Sequence, residues 1–129
     1  MSVSSALYGK QIGHYKWFDF YNTNPAAYKR LLKFSVCRDP IARFTSAFNF
    51  LKAGGVNEAD RTYAETCLSE FPTAENFALA LADAEFRSHA LRKVHFFPQV
   101  KFVCSAKRKI MVDYLIDLSR LEDDLPRVL

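Results

Sequence analysis

The sequence KFSVCRDPIARFTSAF occupies residues 33–48 and combines the signals of a strand, a turn and a helix. Its first five residues, Lys33–Cys37, form a mostly apolar run that predicts a short buried strand. The Asp39-Pro40 pair predicts a helix start, because aspartate is a favoured N-cap and proline fits the first helical position. Gly54 and Gly55 are a stop signal, so the helix is predicted to run from Pro40 to about Lys52.

Arg38 and Ser46 make this strand–turn–helix unit a candidate phosphate site. Arg38 stands at the junction, where backbone N–H groups and the positive end of the helix dipole favour an anion. Its guanidinium adds a planar fork of donors. Ser46 lies roughly 9 Å along the helix axis from Pro40, at about 1.5 Å per residue, so the two side chains share an anion only if the loop folds Arg38 back over the helix. The alternative is a capped surface helix with a solvated arginine.

Helical periodicity assigns the faces of the predicted helix. At about 100° per residue, one apolar stripe forms the expected core face; it contains Ile41, Phe44, Phe48 and Leu51. Arg43 and Ser46 are three residues apart on another face, where their side chains can meet.

The remaining segments predict an α/β chain that is rich in helices. Residues 1–24 read as irregular and aromatic-rich, residues 96–109 as a loop with an edge strand, and Ile110–Leu118 as a strand. Further helices are predicted over Pro25–Leu32, Glu58–Glu70 and Glu85–Lys93. Another helix is predicted after its cap Thr73, with Phe77, Leu81 and Ala84 on its buried face. A last helix is predicted at the end of the chain, with Asp123 or Asp124 in its first turn. The length of 129 residues predicts one domain over residues 1–129.

Composition excludes several classes of protein. Half of the residues are apolar, yet no window reaches the roughly 18 consecutive apolar residues of a membrane span, and the N-terminus does not read as a signal peptide. Three cysteines without repeated spacing favour reduced thiols. His89, His95 and Cys104 lack metal-ligand spacing, so no metal site is predicted. These features predict a cytoplasmic chain.

The net charge of +4 is concentrated in one short segment. Lys101, Lys107, Arg108 and Lys109 are either a solvated loop or a docking surface for an anionic nucleotide or glycan. No recognised nucleic-acid-binding module is present, so nucleic acid is not an expected partner.

The first block resembles a motif of sulfotransferases that use 3′-phosphoadenosine 5′-phosphosulfate (PAPS) as donor. In that family a strand ends in Arg-Asp/Asn-Pro-x-x-Arg-x-x-Ser, and the first arginine and the serine hold the 3′-phosphate of the nucleotide. Arg38 and Ser46 occupy those positions with the family's spacing intact, and Arg43 matches the inner arginine.

A second block resembles the C-terminal half of the same domain, in the carbohydrate sulfotransferases of the Golgi type and their bacterial relatives. It contains the run His95–Gln99, then Cys104, then an Asp-Tyr pair within Val112–Ile116, and an acidic helix start at Leu121–Leu125. The two blocks keep the family's order. The resemblance covers about residues 30–129.

The resemblance implies a partial P-loop-NTPase-like domain with a few parallel strands and flanking helices. It implies transfer of a sulfuryl group from PAPS to a hydroxyl, expected on a carbohydrate acceptor that can be anionic, with adenosine 3′,5′-bisphosphate as product. Arg38 and Ser46, with Arg43 as a further candidate, would bind the nucleotide. His14, in a Gly-His pair, is the candidate base, and His95 is expected to line the site. The alternatives are an exposed loop histidine for His14, and for His95 a hydrogen bond that orients the Pro98 turn.

One family element has no match in this sequence. The family's 5′-phosphosulfate loop, a strand followed by a Lys/Gly/Thr/Ser-rich turn and a helix, is not found before Phe34. The chain is therefore expected to be the central and C-terminal part of a sulfotransferase domain, with doubtful activity by itself. A Golgi membrane location is expected instead if a missing N-terminal part belongs to a eukaryotic relative. The alternatives are a catalytically inactive remnant that binds a nucleotide or a partner, and a structural domain in which Arg38 serves packing.

Overall fold

The computed structural model describes residues 14–129, in which short helices predominate. In chain order the α-helices are α1 (Trp17–Thr23), α2 (Pro25–Arg30), α3 (Pro40–Lys52), α4 (Glu58–Tyr63), α5 (Ala74–Ala80), α6 (Ala84–Ala90), α7 (Val100–Val103) and α8 (Leu121–Val128). A π-helical turn, Ala64–Leu68, continues α4, and two 3-10 turns cover Val94–Phe96 and Leu118–Arg120. Two strands, β1 (Phe34–Cys37) and β2 (Tyr114–Asp117), complete the described elements. The predicted α/β class is confirmed in this helix-rich form.

The two strands pair in parallel, from Phe34 opposite Tyr114 to Cys37 opposite Asp117. A parallel pair needs a long crossover, and the helices between the strands supply it. The strand predicted over Ile110–Leu118 is shorter than expected. Ile110 instead forms an antiparallel bridge with Cys104, so regular pairing with β1 begins only at Tyr114.

The chain divides into two compact units, and the first contains the residues up to Cys37 and from Pro98 onward. Aromatic rings of α1 and α2 pack together there, with the Tyr21 and Tyr28 ring centroids 5.6 Å apart. The Trp17 indole N–H donates to the Cys104 carbonyl at 3.0 Å. The irregular structure predicted for residues 1–24 is therefore wrong over α1, where aromatic packing stabilises a helix. Residues 1–13 lie outside the described part of the chain.

The second unit, Arg38–Phe97, contains an aromatic-rich core. Its buried side chains are Phe48, Leu51, Leu68, Phe77, Ala90 and Phe96. Two predictions of burial are wrong: Ile41 is 77% exposed, and Ala84 is exposed as well. Ala84 lies outside the core because α5 ends at Ala80 and Asp83, which accepts from the Phe86 amide at 2.7 Å, begins a new helix.

Among residues 14–129, no helix has the length and apolar character that crossing a membrane requires.

Candidate functional site

The turn between β1 and α3 forms as its local sequence predicts. The Asp39 side chain accepts a hydrogen bond from the Ala42 amide at 2.8 Å, and Pro40 occupies the first helical position. The helix covers Pro40–Lys52, which confirms the predicted bounds. Arg38 lies between the end of the strand and the N-cap residue, and its side chain is exposed.

Arg38 and Ser46 line the same open concavity, which has a volume of about 720 Å³. Both side chains of the predicted phosphate site therefore face one concavity. The other lining residues are Ala42, Thr45, Asn49 and Phe50. These residues and Ser46 are spaced three or four positions apart, which places them on one face of the helix. Counting three and four residues from Ser46 along the sequence could therefore have identified most of them.

The chemistry of this concavity suits an anion. Arg38 provides a guanidinium, Thr45 and Ser46 provide hydroxyl groups, and Asn49 provides an amide. None of the six lining residues is acidic. A phosphate group in the concavity could accept charge-assisted hydrogen bonds from Arg38 and further bonds from the hydroxyl groups.

Arg43 makes a different contact from Arg38 and Ser46. One of its guanidinium nitrogens donates to the Phe97 carbonyl at 2.8 Å, and Arg43 is not among the residues that line the concavity. The side chain is partly buried, and this burial lowers the pKa of Arg43 from its ordinary value. The structure thus places Arg43 against the backbone just after His95.

His95 does not line the concavity, but it contacts Phe50, which does. The two ring centroids are 5.3 Å apart with the planes inclined at 35°. His95 is half-buried in the 3-10 turn Val94–Phe96, and its Nδ1 atom is shielded from solvent. Phe50 therefore contacts His95 and lines the concavity with Arg38 and Ser46.

A buried ion pair adjoins the same turn. Lys93 places its ammonium 2.7 Å from a carboxylate oxygen of Asp60, which is only 1% exposed. The Val56 amide donates to the other oxygen at 3.1 Å. Burial by itself raises the pKa of Asp60, but the hydrogen bonds from Lys93 and Val56, with the charges of Lys93 and His95, bring it below its ordinary value. No local pattern in the sequence links Asp60 to Lys93.

The remaining candidate residues lie in the first unit. His14 is exposed and precedes α1 outside any helix or strand. Lys107, Arg108 and Lys109 are exposed at the tip of the hairpin that the bridge between Cys104 and Ile110 closes.

The three cysteines, Cys37, Cys67 and Cys104, are free thiols. Among the described residues, no group of three or more histidine, cysteine or acidic side chains is arranged to hold a metal ion.

Comparison with known proteins identifies a family for the chain. The model of a family described as the sulfotransferase family matches residues 4–129. No curated protein and no solved structure matches the chain. The match confirms the predicted family and extends beyond residues 30–129, which carry the resemblance, so that the Gly-His pair at His14 also falls inside it.

Proposed function

The chain belongs to the sulfotransferase family, and we propose that it uses PAPS to transfer a sulfuryl group to a hydroxyl of a carbohydrate acceptor. Family membership by itself suggests sulfuryl transfer in general. The observation that carries the finer proposal is the shared concavity of Arg38 and Ser46. These residues match the family's two ligands of the 3′-phosphate, and the fact that both line one concavity supports the proposal.

In this proposal the 3′-phosphate of the nucleotide lies in the concavity. Arg38 donates charge-assisted hydrogen bonds to it, the Ser46 hydroxyl donates another, and Thr45 and Asn49 offer further polar contacts. Arg38 directly follows β1 in the sequence, as the first arginine of the family's motif follows a strand. This match supports a partial P-loop-like fold.

The transfer breaks the bond between sulfur and the 5′-phosphate oxygen and forms a bond between sulfur and the acceptor oxygen. Adenosine 3′,5′-bisphosphate leaves, and the proton of the acceptor hydroxyl passes to a base. A histidine suits this role because its pKa lies near neutrality. His14 and His95 are the two candidates, and the contact of His95 with Phe50 supports a place for His95 beside the bound substrates.

The proposed acceptor is a hydroxyl-bearing glycan that carries negative charge. Three consecutive exposed cations, Lys107–Lys109, support this choice because clustered positive charge raises the local concentration of an anionic substrate.

Nucleotide binding tests the phosphate site directly. Adenosine 3′,5′-bisphosphate is titrated into the chain by calorimetry, and into the Arg38→Ala variant. Loss of a charged hydrogen bond costs about 1.5–3 kcal/mol, which weakens the affinity roughly 10- to 150-fold. Arg61→Ala is the matched control, since Arg61 is an exposed arginine paired with Glu58 at 2.7 Å. The assignment fails if the wild-type chain does not bind, or if Arg38→Ala binds with unchanged affinity.

The second candidate function is binding of the nucleotide without turnover. It is favoured by the lining of the concavity, which includes no histidine and no carboxylate that could act as a base. Both functions predict binding of the bisphosphate. Transfer of radioactive sulfate from labelled PAPS to a panel of glycans separates them, because only the enzyme yields labelled acceptor.

A further inference from the structure

We propose that Arg43 is a positioning residue that holds His95 beside the concavity of Arg38 and Ser46. This inference rests on the proposed function, since it assigns His95 to the substrate site. It concerns residues 93–97, here called the His95 segment.

The His95 segment is fixed on both sides of the histidine. Lys93 pairs with the buried carboxylate of Asp60 at 2.7 Å. Phe96 is 7% exposed, and its ring centroid lies 5.3 Å from that of Phe44. The Phe97 carbonyl accepts the hydrogen bond from Arg43 at 2.8 Å. The residues on both flanks of His95 thus each contact another part of the second unit.

Helix α3 contacts the segment through Arg43, Phe44 and Phe50. Arg43 binds the Phe97 carbonyl, and Phe50, seven residues later, packs on the His95 ring. Residues seven apart lie on the same face of a helix, roughly 10 Å apart along its axis. Ser46 lies between them on α3 and lines the concavity that Phe50 also lines. One helix therefore carries the proposed phosphate ligand and both contacts that orient the histidine.

An arginine suits this role because it remains charged even when it is partly buried. Its planar guanidinium can donate to a backbone carbonyl while its stem packs against apolar neighbours. Glutamine is neutral and shorter, and lysine keeps the charge but lacks the planar fork. We therefore expect a graded response to substitution at position 43.

The test compares Arg43→Gln and Arg43→Lys with a matched control, Arg87→Gln. Arg87 also donates to a backbone carbonyl in the second unit, that of Leu81 at 2.8 Å, which lies outside the His95 segment. The first readout is the nuclear Overhauser effect between the ring protons of Phe50 and His95 in the ligand-free protein. The second is the affinity for adenosine 3′,5′-bisphosphate.

We expect Arg43→Gln to lose at least half of the Overhauser intensity, Arg43→Lys to lose less, and Arg87→Gln to keep it. The affinity for the bisphosphate should change by less than threefold in Arg43→Gln, because Arg43 does not line the concavity. Full Overhauser intensity in Arg43→Gln overturns the proposal. If that variant does not fold, full intensity in Arg43→Lys overturns it.

A loss of affinity in Arg43→Gln as large as that in Arg38→Ala would instead identify Arg43 as a ligand of the phosphate and overturn the positioning role. Failure of the proposed function has a different signature, which is the absence of bisphosphate binding by the wild-type chain. The Overhauser measurement still decides the role of Arg43 in that case, because it needs no ligand.

Discussion

Replacement of Lys93 by methionine tests how strongly the buried ion pair holds the second unit together. Methionine approximates the length of the lysine stem but removes the ammonium that lies 2.7 Å from Asp60. The carboxylate is 1% exposed and would keep only the hydrogen bond from the Val56 amide. Breaking a buried pair by removing one partner costs about 3–5 kcal/mol, so we expect the free energy of unfolding at pH 7 to fall by about this amount.

The decrease in the free energy of unfolding caused by Lys93→Met should become smaller as the pH falls. In the wild-type chain, burial raises the pKa of Asp60, but the bonds and charges around it lower that pKa below the ordinary value. The wild-type chain therefore loses stability as the pH drops through the folded pKa. In Lys93→Met the burial remains without the ammonium, so the folded pKa of Asp60 is higher than in the wild-type chain. Protonation of Asp60 therefore destabilises the variant less than the wild-type chain, and the two free energies of unfolding converge in acid.

Urea unfolding followed by circular dichroism, at pH 7 and at pH 4, measures both effects. Urea is preferable to guanidinium chloride because it is uncharged and leaves the ionic strength constant during the titration. Lys107→Met is the matched control, since Lys107 is exposed and a surface substitution should change the free energy of unfolding by no more than about 0.5 kcal/mol. A loss below about 1 kcal/mol at pH 7, or an equal loss at both pH values, would refute the argument, because a buried carboxylate that has lost its cation should destabilise the fold several times more.

Further substitutions test the helix caps, the core and a turn. Asp39→Ala and Asp83→Ala each remove an N-cap, and each should lower the free energy of unfolding by about 1 kcal/mol in urea titrations. Asp39 is adjacent to Arg38, so only Asp39→Ala should also weaken bisphosphate binding in calorimetry. Phe77→Ala removes a fully buried ring and should cost about 3–5 kcal/mol in the same titration, whereas Leu79→Ala at a site 74% exposed should cost less than about 0.5 kcal/mol. Gly55→Ala should lower the melting temperature, measured by circular dichroism. Gly55 has a φ of +58°, and a Cβ at this position would lie 2.3 Å from the Asp60 Cβ. An unchanged melting temperature would contradict that close approach.

The strand–turn–helix unit was predictable because its determinants are neighbours in sequence. Asp39 caps the helix through an amide three residues away, and Pro40 needs no partner at the first position. The end of the helix is equally local, since Gly54 and Gly55 adopt φ values of +98° and +58° that other residues avoid. Local signals at both ends of this segment therefore determine where the helix begins and ends.

The errors arise where packing between distant residues determines the outcome. Ile41 has the correct period for the core face, but it lies in the first turn of α3 and is 77% exposed. The helix α1 is stabilised by long-range contacts such as the one from Trp17 to Cys104. Periodicity describes the geometry of one helix and contains no information about which turns of it a neighbour covers.

In the candidate site, too, local features could be predicted and contacts between distant residues could not. Arg38 and Ser46 could be predicted because a family motif fixes their spacing along the chain, and Phe50 lies on the same face of α3 as Ser46. The hydrogen bond from Arg43 to Phe97 could not be predicted, since the two residues are 54 positions apart. The acceptor is the backbone carbonyl of Phe97, so the identity of that side chain gives no signal. A motif that contains two arginines at a fixed spacing therefore does not show that both touch the ligand. In this chain the geometry separates them, with Arg38 facing the proposed phosphate site and Arg43 bound to the backbone beside His95.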